Sequence, residues 1–237
     1  MGPGPLPPAR PLPRGGRAST PRTGCVLSDN PYLRDPAALR ERLHEAAIEA
    51  IPYALAGDEG RETASPRRPA AVLIGLVARP AGLSLLLTQR TAHLSAHAGQ
   101  ISLPGGRMEP EDLNPSAAAL REAREEIGLD PARVEVLGAL RTYETVTGFR
   151  IHPIVGWIEP PVTFRTDPFE VEELFEVPFD FVLDPRNHRR EGGMRDGRRR
   201  QFYVLPYERR YIWGATAGIL VGLARLLARP ESGQPES

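Results

Sequence analysis

The chain has 237 residues, 41% of them hydrophobic, which suits one sizeable α/β domain with tails rather than two full domains. Its 30 basic and 30 acidic residues give zero formal net charge, so neither nucleic acid nor an anionic membrane is expected as a partner. All of the basic residues are arginine, which excludes a phosphate-loop lysine, a Schiff-base lysine and a lysine general base. The available chemistry is therefore that of carboxylates, histidine and metal ions.

Two further features narrow the class of protein. Cys25 is the only cysteine, so an internal disulfide, a zinc–cysteine cluster and a redox pair are excluded, and a cytoplasmic location fits such a chain. No apolar run approaches the ~20 residues that cross a bilayer, so we expect no membrane partner. The sequence leaves the oligomeric state open, a homodimer included.

The N-terminal part is predicted to contain one helix between two irregular segments. Residues 1–24 are rich in proline, glycine and arginine and contain no acidic residue, which predicts a disordered extension. A transit peptide is the alternative, but the many prolines oppose the amphipathic helix that such a peptide forms. A helix is predicted over residues 36–50, with Leu39 and Leu43 on its packing side, and a polar linker over residues 57–69.

The middle of the chain is predicted to contribute four strands. Apolar residues 71–78 and 83–88 flank a Pro-Ala-Gly turn and predict a hairpin within a sheet. Residues 134–140 and 151–158 predict two further strands. Pro153 indicates an edge position or a bulge, because proline cannot donate to a strand ladder.

The C-terminal third is predicted to mix loops, a hairpin and a helix. Residues 166–174 indicate an acidic loop followed by a short helix, and residues 178–183 an irregular continuation. Arginine- and glycine-rich residues 186–200 predict a solvated hairpin tip before a strand over residues 201–205, with phosphate binding by this tip as the alternative. An apolar helix over residues 213–228 should close the sheet.

The best-marked helix is predicted over residues 115–127. Asn114 is a capping residue, Pro115 suits the first helical position, and Gly128 can end the helix in the left-handed conformation. At about 100° per residue, one face of this helix is apolar and the opposite face is acidic. The apolar face consists of Leu120, Ala123 and Ile127, and the acidic face of Glu122, Glu125 and Glu126.

The acidic face predicts a cation site. Like charges three and four residues apart repel one another, and Arg121, placed to bridge Glu125, offsets only part of that cost. Mg²⁺ prefers carboxylate and water oxygens and works beside substrate phosphates, so the face indicates metal-assisted phosphate chemistry. For this short charged segment taken alone, a solvated helix surface is the alternative.

The glycines before the helix and the helix itself together resemble a known family. A Gly-Gly turn at 105–106 is followed by Arg-Glu-Ala-Arg-Glu-Glu-Ile-Gly-Leu at 121–129, which resembles the second half of the Nudix box at every fixed position. The intervening loop is one residue longer than in the family, and Leu113 stands where its first glutamate is counted. Glu111 or Asp112 is the expected substitute.

The resemblance implies an α+β fold, a Nudix-type α/β/α sandwich with a mixed sheet. The Nudix hydrolase domain would span residues 70–229, after a helix and linker over residues 25–69 and before a disordered tail over residues 230–237. The implied cofactor is Mg²⁺ or Mn²⁺. Its expected ligands are Glu122, Glu125, Glu126 and the carbonyl of Gly106.

A second block resembles one branch of that family. Residues 86–106, LLTQRTAHLSAHAGQISLPGG, are similar to the signature of the coenzyme A pyrophosphatases, and residues 212–216 to their C-terminal part. Ser95 stands where a basic residue is usual and Leu103 where phenylalanine is usual. The resemblance implies a small-molecule nucleotide substrate, coenzyme A or its thioesters, cleaved to 4′-phosphopantetheine and adenosine 3′,5′-bisphosphate. The residues expected to bind it are Arg90, Gly99, Gly105, Gly106 and Arg107.

The implied reaction is attack of water on a pyrophosphate bond. The catalytic candidates are Glu122, Glu125 and Glu170; the general base would be Glu122 or Glu170, with Glu173 next. A surface role for Glu170 is an alternative, and Arg90 and Arg121 are expected to be partly structural. We expect His93 and His97 to be loop histidines, with ligand or proton-transfer roles as the alternative.

Two other functions stay open at this point. The absence of a basic residue at position 95 would favour a broader ADP-ribose or nucleotide-sugar pyrophosphatase. A module that senses a nucleotide without cleaving it is the third reading, which the intact set of three glutamates disfavours.

Overall fold

The computed structural model describes residues 30–48, 67–92, 99–145, 147–195 and 198–228. Within these ranges, the helices are α1 (Pro36–Ile48), α2 (Pro115–Ile127), α3 (Phe179–Leu183) and α4 (Gly214–Leu227). The strands are β1 (Arg68–Arg79), β2 (Gly82–Arg90), β3 (Ile101–Ser102), β4 (Gly105–Arg107), β5 (Val134–Ala139), β6 (Tyr143–Glu144), β7 (Phe149–Ile158), β8 (Val171–Pro178), β9 (Arg189–Arg195), β10 (Arg198–Tyr207) and β11 (Arg210–Trp213).

The strands form one large mixed sheet and one small antiparallel sheet. In the large sheet β3, β2, β1, β7 and β5 follow one another, while β4 pairs with β1, β6 with β7 and β8 with β2. β1 and β7 run parallel, whereas the other pairs of this sheet are antiparallel. The small sheet has the order β11, β10, β9. The mixed sheet is the one that the sequence predicts.

Helices cover both faces of the large sheet. On one face, α2 packs its apolar side against β1 and β7, with Ala119, Ala123 and Ile127 in one core cluster with Leu73 and Ile154. On the other face, α1, α3 and α4 join a larger apolar core with β1, β2 and the small sheet. The architecture is an α+β fold, an α/β/α sandwich, as predicted.

Most predicted elements are confirmed. The hairpin of β1 and β2 turns at Arg79 and Gly82, next to the predicted Pro-Ala-Gly turn. The predicted helices of the N-terminal, middle and C-terminal parts correspond to α1, α2 and α4, and the two middle strands to β5 and β7. The arginine-rich hairpin is confirmed as β9 and β10, which pair from Arg195 and Arg198 outward.

The predicted short helix within residues 166–174 is wrong, because strand β8 begins at Val171. Phe175 and Val177 are buried at alternate positions, which is the period of a strand. β8 pairs along β2, so a partner distant in sequence overrides the helical tendency of the acidic segment. The predicted irregular stretch after it is also wrong, since Phe179 begins α3.

The predicted edge position for the strand of Pro153 is wrong, because β7 lies between β1 and β5. The carbonyl of Pro153 accepts a hydrogen bond from the amide of Leu140, in the connection between β5 and β6. On this side of β7, Pro153 therefore lies opposite the gap between the end of β5 and the start of β6. The register irregularity of this part of the sheet is in β5, between Val136 and Gly138, rather than at Pro153.

The terminal predictions fall outside the described residues. They concern the extension over residues 1–24, most of the linker and the tail over residues 230–237. Among the helices that the structure describes, none has the length and apolar character that a membrane crossing requires.

Candidate active site

Gly105 and Gly106, predicted as a turn, instead begin strand β4, and they bring this strand into contact with α2. Gly105 has φ 151°, and a Cβ there would lie 2.4 Å from the carbonyl oxygen of Ala71. A Cβ on Gly106 would lie 2.5 Å from the carboxylate of Glu122. Both positions therefore require glycine, and the absence of side chains lets the Glu122 carboxylate approach the backbone of β4.

The ends of α2 are fixed as the sequence predicts. Asn114 accepts a hydrogen bond from the amide of Ala117 at 2.9 Å, and Gly128 has φ 66° in the left-handed conformation. Ala123 and Ile127 are fully buried against the sheet, which sets the rotation of the helix. Its residues Glu122 and Glu126 consequently face Gly106 and Gly105 of β4.

Arg121 organises the outer part of the acidic cluster. Its guanidinium donates to both oxygens of Asp112 at 3.0 Å, to Glu122 at 3.0 Å and to Glu125 at 3.0 Å, and also to the carbonyl of Arg107. The Asp112 side chain is only 5% exposed, and this pairing holds the pKa of its carboxyl below the usual range. Of the two acidic residues predicted as substitutes in this loop, Asp112 contacts the helix through Arg121, whereas Glu111 is exposed.

Glu126 is the buried member of the cluster. The residue is 3% exposed, and its carboxylate accepts a hydrogen bond from the amide of Gly105 at 3.1 Å. Burial raises the pKa of Glu126 to about 8, and the nearby Glu122 and Glu170 add to the rise, although the Gly105 amide and Arg90 oppose it. Burial also raises the pKa of Glu122.

Arg90 connects Glu126 with Glu170. Its guanidinium nitrogens lie 3.6 Å from a Glu126 oxygen and 4.0 Å from a Glu170 oxygen. The structure thus brings Glu122 and Glu170 close to the buried Glu126, with Arg121 beside Glu122 and Arg90 beside the other two, while 58% of the Glu125 side chain is exposed.

Other predicted site residues lie elsewhere. The Arg107 guanidinium stacks over the Phe149 ring at 5.8 Å from its centroid, and Glu173 pairs with Arg210 of the small sheet at 2.6 Å. Gly99, with φ 68°, donates from its amide to the carbonyl of Arg90, so it connects the residues before β3 to the end of β2. The segment with the remaining predicted positions is outside the described residues; it contains His93, Ser95 and His97.

Asp167 and Thr91 bind the backbone around Glu170 and at Glu126 but were not among the predicted site residues. Asp167 donates from its amide to the carbonyl of Glu126 at 2.9 Å, and Thr91 donates from its hydroxyl to the carbonyl of Phe169 at 2.8 Å. Thr91 is one of the positions at which residues 86–106 resemble the coenzyme A branch, whereas nothing in the sequence indicated Asp167.

The donor set fits a hard divalent cation in its chemistry. Glu122 and Glu126 are carboxylates held against the Gly105–Gly106 backbone, in the region where charge repulsion and burial disfavour their ionised forms. A divalent cation would reverse that preference. In the described ranges, no group of three or more His, Cys, Asp or Glu side chains is already arranged to hold a metal ion, and Glu125 is paired with Arg121.

The site is therefore a partly buried acidic cluster on a capped helix, which faces Gly105 and Gly106 of a mixed sheet. Residues 66–192 match the family model of the NUDIX domain. The chain belongs to this family. It is therefore a Nudix hydrolase, which acts on nucleoside diphosphate derivatives, and Nudix hydrolases generally use divalent ions such as Mg²⁺ or Mn²⁺.

Relatives and solved structures include other members of this family. The uncharacterized Nudix hydrolase NudL of Escherichia coli K12 is 43% identical over 164 residues, which cover 69% of this chain and 84% of NudL. The MutT protein of Methanosarcina mazei Go1 is 20% identical with a TM-score of 0.45, and covers 70% of this chain and 96% of its own. The NUDIX domain of Shewanella oneidensis NrtR, solved with ADP ribose, is 18% identical with a TM-score of 0.40, over 58% of this chain and 85% of its own.

Proposed function

We propose that this Nudix hydrolase cleaves the pyrophosphate bond of coenzyme A or its thioesters, giving 4′-phosphopantetheine and adenosine 3′,5′-bisphosphate. The observation that carries the proposal is the resemblance of residues 86–106 to the coenzyme A branch. Both ends of that block lie at the acidic cluster, because Arg90 reaches Glu126 and Glu170 while Gly105 donates to Glu126. Residues 212–216 give a second, separate resemblance to the same branch.

The residues of the cluster would divide the work. Glu122, Glu125 and Glu126, with the Gly106 carbonyl, would hold Mg²⁺ or Mn²⁺, which when bound neutralises phosphate charge and acidifies water. Glu170 is the preferred general base, because it lies beside the buried cluster with its carboxylate 4.0 Å from Arg90, and Glu122 is the alternative. Arg90 would orient Glu170 and meet the negative charge of the diphosphate.

A broader ADP-ribose or nucleotide-sugar pyrophosphatase is the second candidate. The specific observation in its favour is Ser95, which stands where the coenzyme A branch usually has a basic residue. A basic side chain there could contact a 3′-phosphate, which coenzyme A carries and ADP-ribose lacks. The two candidates therefore differ in how strongly the enzyme should depend on that phosphate.

A substrate panel tests the proposal. We expect a higher kcat/KM for coenzyme A and its thioesters than for ADP-ribose or NADH, and mass spectrometry after hydrolysis in ¹⁸O-water should identify the two phosphate products and the labelled one. If arginines read the 3′-phosphate, dephospho-coenzyme A should be about ten- to a hundredfold poorer, since a charge-assisted contact contributes roughly 1.5–3 kcal/mol. A tenfold preference for ADP-ribose would replace the proposal with the second candidate.

A further inference from the structure

We propose that Thr91 is a positioning residue that holds Glu170 at the acidic cluster. The inference rests on the proposed function, in which Glu170 is the preferred general base. It goes further by assigning the placement of that base to one buried side chain.

Thr91 binds the Glu170 turn through two adjacent groups. Its amide donates to the carbonyl of Glu170 at 3.1 Å, and its hydroxyl donates to the carbonyl of Phe169 at 2.8 Å. Thr91 is only 6% exposed, so water competes little for either bond. Two consecutive carbonyls of the turn are thereby attached to the end of β2.

The opposite side of the same turn is attached to α2. The amide of Asp167 donates to the carbonyl of Glu126 at 2.9 Å. Within the turn, the Asp167 side chain accepts from the amide of Phe169 at 2.9 Å, and its carbonyl accepts from the amides of Glu170 and Val171. The backbone of Glu170 therefore has fixed connections both to the helix of the acidic cluster and to the strand of Arg90.

A bulge explains why Thr91 reaches the turn. β2 and β8 pair Gln89 with Glu173, but the next pair is Arg90 with Val171, so one residue of β8 is skipped. Such bulges redirect side chains next to functional sites. Here the shift places Thr91 opposite Glu170 and leaves the Arg90 guanidinium 4.0 Å from the Glu170 carboxylate.

The hydroxyl bond is the part of this attachment that a substitution can remove selectively. Thr91→Val keeps the shape and the amide bond but loses the bond to Phe169, whereas Thr91→Ser keeps both. A small displacement of a general base lowers the rate strongly, so we expect Thr91→Val to reduce kcat about tenfold with little change in KM. Thr91→Ser should retain kcat within about twofold of the wild type.

Thr145→Val is the matched control. Thr145 is also buried, and its hydroxyl accepts from the amide of Phe149 at 3.0 Å across a turn between β6 and β7. Loss of this bond should lower thermal stability about as much as Thr91→Val while kcat is kept. This comparison separates the positioning of Glu170 from a general loss of stability.

A double-mutant cycle completes the test, with kcat measured on whichever nucleoside diphosphate derivative the wild type cleaves best. In a Glu170→Gln background, Thr91→Val should lower kcat by less than about twofold, since there is no longer a carboxylate to position. If Glu170→Gln impairs the enzyme, the positioning role alone is contradicted by either of two outcomes: Thr91→Val leaves kcat unchanged in the wild-type background, or it lowers kcat by the same factor in both backgrounds. A Glu170→Gln enzyme with wild-type kcat contradicts both that role and the base assignment, and a failure of coenzyme A as substrate contradicts only the proposed specificity.

Discussion

Helices α2 and α4 lie on opposite faces of one sheet and differ in what they bury. α4 buries eleven of its fourteen residues, all uncharged, and its one charged residue, Arg225, is exposed. α2 buries five of its thirteen residues, and one of the five is Glu126. The apolar burial of α4 stabilises the domain, whereas burial of a carboxylate costs free energy unless it is compensated.

This difference between the buried residues of α2 and α4 indicates where stability and activity reside in this fold. The hydrogen bond from Gly105 and the cation Arg90 compensate Glu126 only in part, since the pKa of its carboxyl still rises to about 8. A buried carboxylate with only partial compensation, such as Glu126, is explained by function rather than by packing. The α4 face should therefore control the free energy of unfolding, and the α2 face should control turnover.

The largest effect should come from neutralising the acidic cluster. We expect Glu126→Gln and Glu125→Gln each to lower kcat about 10²–10³-fold, because each removes a charge from the proposed cation site. Excess chelator should abolish wild-type activity, and Mg²⁺ or Mn²⁺ should restore it. Glu111→Gln, on the exposed side of the preceding loop, is the control that should keep activity. Undiminished turnover in chelator would exclude the metal site.

The converse substitution lies in α4. Leu220 is fully buried in the larger core, so Leu220→Ala should lower the free energy of unfolding by about 3 kcal/mol, through lost burial and the cavity left behind. Urea denaturation measures this change. At temperatures where the variant stays folded, kcat should remain within about twofold of the wild type. A large loss of kcat in a fully folded Leu220→Ala protein would mean that the two faces are not separable.

How far the sequence predicts these two faces depends on the range of the interactions. The start and end of α2 follow from Asn114 and Gly128, whose capping bonds are local, and both are confirmed. Helical period places Glu125 and Glu126 on one face but does not tell that one is 58% exposed and the other buried. The difference in exposure between these two side chains depends on how closely Gly105 and Gly106 of β4 pack against the helix.

Long-range pairing accounts for what the sequence does not reveal. The contact of Arg90 with Glu170 needs β8 beside β2, and the acidic composition of β8 hides its two-residue alternation. Asp112 could be ranked above Glu111 only once its bonds to Arg121 were known. The sequence thus predicts the helix and its chemistry, while the tertiary structure decides which acidic residues face each other.

The buried carboxylate should also give the metal-free protein a distinctive pH dependence. Because the pKa of Glu126 is about 8 in the folded state and near 4.5 when unfolded, the folded state holds this proton more tightly. The stabilisation of the folded state by this proton is complete below pH 4.5 and is lost as the pH rises through 8. With chelator present, wild-type stability should therefore fall from pH 6 to pH 8 by about 1 kcal/mol or more relative to Glu126→Gln. The prediction would be contradicted if the urea midpoints of the two proteins changed by the same amount between pH 6 and pH 8.

The smallest effect should follow removal of residues 1–24. In the part of the chain that the structure describes, the first buried core residue is Leu39. Arg90 is the first residue that contacts the acidic cluster. A proline- and arginine-rich segment with no acidic residue has too little apolar surface to add to either core. We therefore expect the truncated chain to keep kcat, KM and the thermal midpoint of the full chain. A lower midpoint with unchanged kcat would assign the segment to the stability of the α4 face, and a lower kcat with an unchanged midpoint would assign it to the α2 face.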